Sequence, residues 1–173
     1  MNILLTGMPA SGKTAAAQAL KKLLDDYMLI DTDEEIVKRE ILSINDIFAK
    51  YGEEYFRKLE TEVLKNTLKK DNQIIASGGG IVKSDENMSL IKQYSVSVYL
   101  KTDLETLYER ALKSKERPLL NRGSLLKKLK TLFQERSLKY EQADIIINTK
   151  GLTPDKTAEE ILDKINEYNK CKN

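Results

Sequence analysis

Residues 7 to 14 read GMPASGKT and fit the spacing G-x-x-x-x-G-K-[ST] in full. In this pattern glycines let backbone N–H groups converge on phosphate oxygens, the lysine adds a positive charge and the last hydroxyl binds Mg²⁺. An apolar run precedes the motif, and a strong helix former, KTAAAQALKKLL, begins inside it. We therefore predict a site for ATP and Mg²⁺, in which the ATP-binding residues are Ala10, Ser11, Gly12, Lys13, Thr14 and Ala15.

A second candidate group is the carboxylate pair Asp31 and Asp33, in LIDTDEEIV. Residues two apart in an extended chain share one face, and open α/β sheets bind ligands at the C-terminal ends of their strands. Asp31 would then face the metal, and Asp33 would orient an acceptor hydroxyl or take its proton. Thr32 and Glu35 also have the spacing of a capping box, so the two acids could instead only begin a helix.

Two arginines are candidates for binding an acidic acceptor. Arg57 lies at the edge of an apolar helical stripe, where a surface salt bridge to Glu53 or Glu60 is its ordinary explanation. Arg136 continues the inward stripe of SLLKKLKTLFQERSLKY, and an inward arginine needs an anion, either a core carboxylate or a bound substrate. Because a guanidinium can bind a carboxylate through two parallel hydrogen bonds, the pair suggests an acidic small molecule.

Three consecutive glycines, Gly78, Gly79 and Gly80, follow an apolar run. Glycine lets a backbone approach a ligand closely and present N–H groups to it, with φ values that other residues resist, although an ordinary turn has the same signal. The polar, basic segment 113–124 is interpreted as a loop that covers ATP and places Arg117 on the transferring phosphoryl group. A loop arginine in solvent is the alternative.

Short apolar runs separated by segments of helical periodicity supply the scaffold that these residues need. The runs are centred on Leu4, Leu29, Ile75, Val98 and Ile146. Strands joined by a dozen or more helical residues pair in parallel, in a sheet covered on both faces. At 173 residues the chain has the length of one domain with a full hydrophobic core. The expected fold class is α/β.

Composition limits the partners and the chemistry. The formal net charge of +2 gives no reason to expect nucleic acid or a membrane surface as a partner. The chain contains no histidine, so acid–base steps must use carboxylates, lysines or tyrosines. Its one cysteine, Cys171, lies in a polar tail, and no apolar run reaches the roughly 18 residues of a membrane span. We expect a cytoplasmic protein that acts on small molecules.

The order of the motifs along the chain carries a resemblance. The segments GMPASGKT, DTD, IFAKYGEEYFRKLE, SGGG, RPLL, RSLKYEQAD and NTKGLTP follow one another over nearly the whole length. With these motifs the chain resembles the shikimate kinases, phosphate-loop enzymes of the nucleoside-monophosphate-kinase-like group. The resemblance implies ATP-dependent phosphorylation of the 3-hydroxyl of shikimate, which gives shikimate 3-phosphate and ADP, in the pathway to chorismate and the aromatic amino acids.

The resemblance also implies an architecture. It is a three-layer α/β/α fold of the phosphate-loop kinase type, with a five-stranded parallel sheet in the order 2-3-1-4-5. Residues 1–173 would form a single kinase domain, with a substrate-binding lobe at about 33–60 and a lid at about 112–124. The protein would be a monomer.

Roles of individual residues are implied in the same way. Lys13, Asp33 and Arg117 would be catalytic, and Arg117 would also bind ATP. Thr14 and Asp31 would hold Mg²⁺, Asp31 through water. The shikimate-binding residues would be Asp33, Arg57, Gly78, Gly79, Gly80 and Arg136. The chain departs from the family at Ala10, where the loop often has glycine, and this departure leaves the nucleotide affinity open.

Two alternative functions remain. One is a kinase for another small hydroxylated acid, such as gluconate, because two arginines and an aspartate do not define a ring. The other is a non-catalytic ATP-binding relative. The complete set of charged residues, with Lys13, Asp33 and Arg136 among them, favours an enzyme, since a relative without turnover has little reason to keep them.

Overall fold

The computed structural model describes residues 1–113 and 122–172. Within these ranges there are five β-strands and seven α-helices, and at least one helix lies between each two successive strands. The strands are β1 (Asn2–Thr6), β2 (Met28–Asp31), β3 (Gln73–Ala76), β4 (Ser95–Lys101) and β5 (Ile145–Asn148). The helices are α1 (Lys13–Leu23), α2 (Thr32–Glu40), α3 (Ile44–Leu68), α4 (Asp85–Tyr94), α5 (Leu104–Lys113), α6 (Arg122–Tyr140) and α7 (Pro154–Lys172), and a short 3-10 helix spans Ile81–Lys83. Arg117 and most of the predicted lid lie outside the described residues.

The five strands form one parallel sheet in the order β2-β3-β1-β4-β5. Both the five predicted strands and the order implied by the resemblance are confirmed. Leu5 of β1 and Asp31 of β2 pair with the same residue of β3, Ala76. Because the three strands end in register, the loops that follow them leave the sheet at one edge.

Helices cover both faces of the sheet, because successive side chains of a strand point to opposite sides. Ile3 and Leu5 pack in one core with α1 and α7. Leu4 lies between them in sequence and packs in the second core, with α3, α4, α5 and α6. All three side chains are fully buried. The predicted three-layer α/β/α fold is therefore confirmed.

The long helix α3 is bent at Gly52, where the backbone has φ 81° and ψ 175°. A third, smaller core of Ile36, Ile47, Phe56 and neighbouring side chains joins α2 to both segments of α3. The rings of Phe48 and Phe56 pack across the bend, with centroids 4.7 Å apart. Although α3 has 25 residues, no helix within residues 1–113 and 122–172 is both long and apolar enough to cross a membrane.

We predict that Gly52→Ala destabilises the fold through the backbone alone. The conformation at Gly52 is one that only glycine adopts without strain, at a cost of about 1–3 kcal/mol for other residues, while an added Cβ would meet no atom within 4 Å. Urea denaturation should show this loss in the free energy of unfolding. Glu54→Ala, an exposed change in the same helix, should alter it by less than about 0.5 kcal/mol. An unchanged stability of Gly52→Ala would argue against the bend.

Candidate active site

The N-terminus of α1 is open to a ligand. Three other helices, α2, α3 and α4, begin on side chains that accept backbone N–H groups, namely Asp31, Ser43 and Ser84. In contrast, α1 begins at Gly12, which has φ 93° and no side chain to cap the helix. Since the first N–H groups of a helix have no partner within it and carry partial positive charge, α1 presents them to an anion.

Ala10, within the same loop, has a left-handed backbone with φ 66°. This conformation costs a residue with a Cβ atom about 1–2 kcal/mol, whereas glycine adopts it freely. The loop therefore has a physical reason to carry glycine at this position, and the chain forms the same turn with alanine at an energetic cost.

Lys13 turns back over the phosphate loop. Its Nζ donates hydrogen bonds to the carbonyl oxygens of Gly7 and Met8, at 3.0 and 2.9 Å. Burial lowers the pKa of Lys13 from 10.5 to about 8, although the charges of Asp33 and Asp31 act in the opposite direction. A phosphate group beside Nζ would favour the charged form of the lysine. An anion bound in the loop would therefore raise the pKa of Lys13.

Asp31 is both the last residue of β2 and the N-cap of α2. Its Oδ1 accepts from the backbone N–H of Asp33 at 3.0 Å, and its Oδ2 accepts from Thr14 Oγ1 at 3.0 Å. The prediction that Asp31 and Asp33 share one face of an extended strand is wrong, because the chain is helical from Thr32 onward. The alternative that the two acids begin a helix is borne out. The capping box is wrong, because the cap is Asp31, and Thr32 Oγ1 instead accepts from the N–H of Gly78 at 3.0 Å.

Thr14 and Asp31 offer the oxygen donors that a hard cation prefers, beside the open end of α1. Among the described residues, no three Asp, Glu, His or Cys side chains cluster as a metal site. Mg²⁺ does not need such a cluster, because one or two protein oxygens, substrate phosphates and water commonly hold it. The residues present fit Mg²⁺ bound together with ATP, and their role as its ligands stays a prediction.

Asp33 and Glu60 place two carboxylate oxygens around Gly78. An added Cβ on Gly78 would lie 2.6 Å from Asp33 Oδ1 and 3.0 Å from Glu60 Oε1. Both oxygens are buried and accept no hydrogen bond from the described residues. Burial raises the pKa of both carboxyl groups, and for Asp33 the charge of Asp31 adds to this effect. Asp33 Oδ1 is enclosed against Gly78 without a partner, while the half-buried Asp33 side chain lines a cavity through which a ligand can reach its carboxylate group.

The other two glycines of the run also lie directly against side chains. An added Cβ on Gly79 would approach the Pro9 ring to 3.1 Å, and one on Gly80 would collide with the guanidinium group of Arg57. The expectation of unusual φ values is wrong, because Gly78, Gly79 and Gly80 all lack a positive φ. The run is required by close packing rather than by backbone conformation.

Arg57 is held between two carboxylates. Its Nη1 donates to Glu60 Oε2 at 2.7 Å, and its Nε and Nη2 donate to Glu53 Oε1 at 3.3 and 3.2 Å. The pair with the half-exposed Glu53 matches the surface salt bridge considered from the sequence. The pair with Glu60 does not, because the Glu60 side chain is only 1% exposed. Arg57 is therefore fixed from the interior of the protein.

Arg136 is buried, with 8% of its surface exposed. Nη1 donates to the carbonyl oxygen of Gly79 at 2.8 Å, and Nε has no partner among the described residues. No ion pair formed within those residues includes Arg136. The core-carboxylate alternative keeps one candidate, because the charge of Arg136 acts to lower the pKa of the buried Glu60 carboxyl group, although the two form no ion pair. The free Nε favours a bound anion.

Two cavities open at this edge of the sheet. One, of about 830 Å³, lies between the phosphate loop and the α2–α3 junction and is lined by Thr14, Asp31 and Asp33 among others. The second, of about 300 Å³, lies on the opposite side of the α1 N-terminus, between α5 and the start of α7, where Arg110 and Pro154 contribute to its wall. Space for a ligand therefore exists on both sides of the phosphate loop.

Sequence reasoning missed Arg110 and the beginning of α7 as site residues. Arg110 Nη1 donates to the carbonyl oxygen of Ser11 at 3.1 Å, so its guanidinium group lies over the phosphate loop. Arg110 follows the buried Leu107 by three positions, which is the helical spacing that singled out Arg136. This signal was present in the sequence.

The structure brings nearly all the predicted site residues to one edge of the sheet. The exception is Arg117, which lies outside the described residues. Thr14, Asp31 and Asp33 line the larger cavity. The three glycines lie against Asp33, the phosphate-loop residue Pro9 and Arg57, and Arg136 donates to Gly79. Their individual roles stay predictions.

Comparisons with known proteins agree over the full length. A family model described as "Shikimate kinase" matches residues 9–166. The shikimate kinase of Thermodesulfovibrio yellowstonii is 39% identical over 172 residues, which are 99% of this chain and 97% of that protein. The solved shikimate kinase from Acinetobacter baumannii, in complex with shikimate, has a TM-score of 0.89 at 34% identity, over 96% of this chain and 93% of that one. The solved shikimate kinase from Aquifex aeolicus has a TM-score of 0.84 at 41% identity, over 96% of both chains.

We predict that ATP binding takes up a proton above neutral pH. With a pKa of about 8, free Lys13 loses its charge between about pH 7 and pH 9, whereas a bound phosphate keeps it charged. The affinity for Mg²⁺·ATP should be constant below about pH 7.5 and should fall by up to about tenfold per unit above pH 8. Calorimetry in two buffers of different ionisation enthalpy measures how many protons are taken up when ATP binds. Lys13→Arg, which stays charged, should show no uptake; equal heats for the wild type in both buffers at pH 8.5 would contradict the prediction.

Proposed function

Because the chain belongs to the shikimate kinase family, we propose that it transfers the γ-phosphoryl group of ATP to the 3-hydroxyl of shikimate, giving shikimate 3-phosphate and ADP. One observation carries the proposal: Asp33, Arg57 and Arg136 all contact or face the glycine run beside the phosphate loop. An acid with a reactive hydroxyl matches this combination of one carboxylate and two guanidinium groups. The Acinetobacter baumannii enzyme forms a complex with shikimate, which supports the same acceptor.

The phosphate loop binds the triphosphate of ATP. The N–H groups at the start of α1 and the Nζ of Lys13 surround the phosphate oxygens, where they neutralise the charge that develops during transfer. Arg117 would add a further cation from the lid. Thr14 and Asp31 would hold Mg²⁺, Asp31 through water as the resemblance implies, and the metal would neutralise charge on the phosphates.

The 300 Å³ cavity beside the phosphate loop binds the nucleobase of ATP. The guanidinium group of Arg110 forms one wall and Pro154 lies in the lining. A planar guanidinium stacks on aromatic rings, and an apolar proline ring suits the remaining face. This position follows from the loop geometry, since the base must leave the phosphates on the side away from the acceptor.

Arg57 and Arg136 bind the carboxylate of shikimate. Glu60 fixes Arg57 from the interior, while Arg136 is fixed by Gly79 and keeps its Nε free. Two guanidinium groups give both the charge and the directional hydrogen bonds that distinguish a carboxylate from a hydroxyl. The acid would then bind beside residues 78–80, which both arginines contact.

Asp33 acts on the 3-hydroxyl. Its carboxylate accepts the hydroxyl hydrogen, and takes this proton as the hydroxyl oxygen forms its bond to the γ-phosphorus and ADP departs. The raised pKa of Asp33, caused by burial and by Asp31, makes it a stronger base than an exposed aspartate. The charges of Lys13 and Arg57 oppose this rise in the pKa of Asp33, so they favour the ionised form that accepts the proton.

A monomeric state and a cytoplasmic location stay predictions of the sequence. The same holds for the lobe at 33–60, which we propose to cover the acceptor, and for the lid.

We expect a coupled assay of ADP release, with Mg²⁺·ATP, to respond to shikimate. The rate with shikimate should exceed both the rate with gluconate and the rate with no acceptor. Equal rates with and without shikimate would contradict the proposed reaction. A response to gluconate alone would favour the other acid kinase, and no ADP release under any condition would favour a non-catalytic relative.

We also expect Asp33→Asn to lower kcat by about 10²–10⁴-fold, because the amide cannot accept the hydroxyl proton. The affinity for ATP, measured by calorimetry, should change little. Glu35→Gln provides a matched control, since Glu35 lies in the same helix and pairs only with Lys38 among the described residues. A rate for Asp33→Asn near that of Glu35→Gln would mean that Asp33 serves only the start of α2.

A further inference from the structure

Tyr140 has no part in the function proposed above, yet its hydroxyl reaches the acceptor site. The side chain is fully buried and stacks on Tyr99, with ring centroids 5.1 Å apart. Its hydroxyl donates to the carbonyl oxygen of Gly79 at 2.5 Å. Arg136, four residues earlier in α6, donates to the same oxygen at 2.8 Å. Two donors on one face of α6 therefore hold a single backbone carbonyl.

The backbone of residues 78–80 needs such contacts, because glycine has more conformational freedom to lose than any other residue. The carbonyl oxygens of Gly78 and Gly80 accept N–H groups of the 3-10 helix that follows. Among the hydrogen bonds of the described residues, none uses the N–H of Gly79 or Gly80. Gly79 is half-buried and Gly80 is buried, and the direction of these two donors depends on how the peptide planes are held.

The contact with Tyr140 sets one of these directions. The described chain has no cis peptide bond, and in a trans peptide the C=O and the next N–H point in opposite directions. Since the Gly79 oxygen points to α6, the N–H of Gly80 points away from it. A rotation of this peptide would also displace Arg136 Nη1.

We propose that Tyr140 is a positioning residue for the acceptor: its hydroxyl fixes the peptide between Gly79 and Gly80, and with it the Gly80 N–H and the Arg136 guanidinium. The inference rests on the proposed function for the identity of the acceptor. Burial raises the pKa of Tyr140 to about 12, so the hydroxyl keeps its hydrogen near neutral pH. Without this bond the carbonyl has one donor, and the peptide can rotate around it.

Tyr140→Phe tests the inference, with Tyr99→Phe as its matched control. Both variants remove one hydroxyl from the same buried stack, but only the first removes a bond to Gly79. Loss of one hydrogen bond corresponds to about a three- to tenfold rise in the KM for shikimate. The KM for ATP should stay at its wild-type value. Tyr99→Phe should leave both constants unchanged.

A second measurement does not depend on activity. The chain has eight glycines, so ¹⁵N-glycine labelling gives few amide resonances. Without substrate, the Gly80 resonance should shift in Tyr140→Phe and not in Tyr99→Phe. A Tyr140→Phe chain that fails to fold, or that unfolds at lower temperature with unchanged KM and Gly80 resonance, would give Tyr140 a purely structural role. A wild type inactive on shikimate would remove the proposed acceptor, whereas the resonance would still decide whether Tyr140 holds this peptide.

Discussion

The site depends on a piece of backbone that has no side chains. Residues 78–80 leave the third strand where they meet two carboxylates, a proline of the phosphate loop and a guanidinium group, each within 3.1 Å of the position that a Cβ atom would take. Because β1, β2 and β3 end in register, these groups arrive at this backbone from different parts of the chain. Any side chain in the run would separate the phosphate loop from the groups that face the acceptor.

The charged side chains at this edge of the sheet lie in surroundings that disfavour their ionised forms. Burial lowers the pKa of Lys13 and raises those of Asp33 and Glu60, and Arg136 lies buried without a carboxylate partner among the described residues. A buried charge left without its partner costs about 3–5 kcal/mol. The fold accepts such costs where ligands bring the opposite charge, so binding of ATP and acid completes interactions that the protein alone leaves open.

Much of this arrangement could be predicted because its signals are local. The phosphate loop has a fixed spacing, the strands are apolar runs, and the helical stripe of α6 placed Arg136 inside. The path after β2 could not be predicted so well, because the side chain of Asp31 caps α2 and turns Asp33 into the helix. Two further features depend on how distant helices pack, which cannot be read from any short segment of the sequence. They are the burial of Glu60 and the contact of Arg110 with Ser11, 99 positions away.

The bend at Gly52 separates two parts of α3 that differ in what they contact. Arg57 and Glu60 follow the bend and lie against residues 78–80. Residues before it, such as Ser43 and Ile44, line the outer wall of the larger cavity. This cavity wall is joined to Arg57 and Glu60 through the single bend at Gly52. The wall can therefore change in length and sequence while Arg57 and Glu60 keep their positions. Substitutions before the bend can therefore reshape this wall of the cavity, while the phosphate loop, which belongs to a different part of the chain, stays as it is.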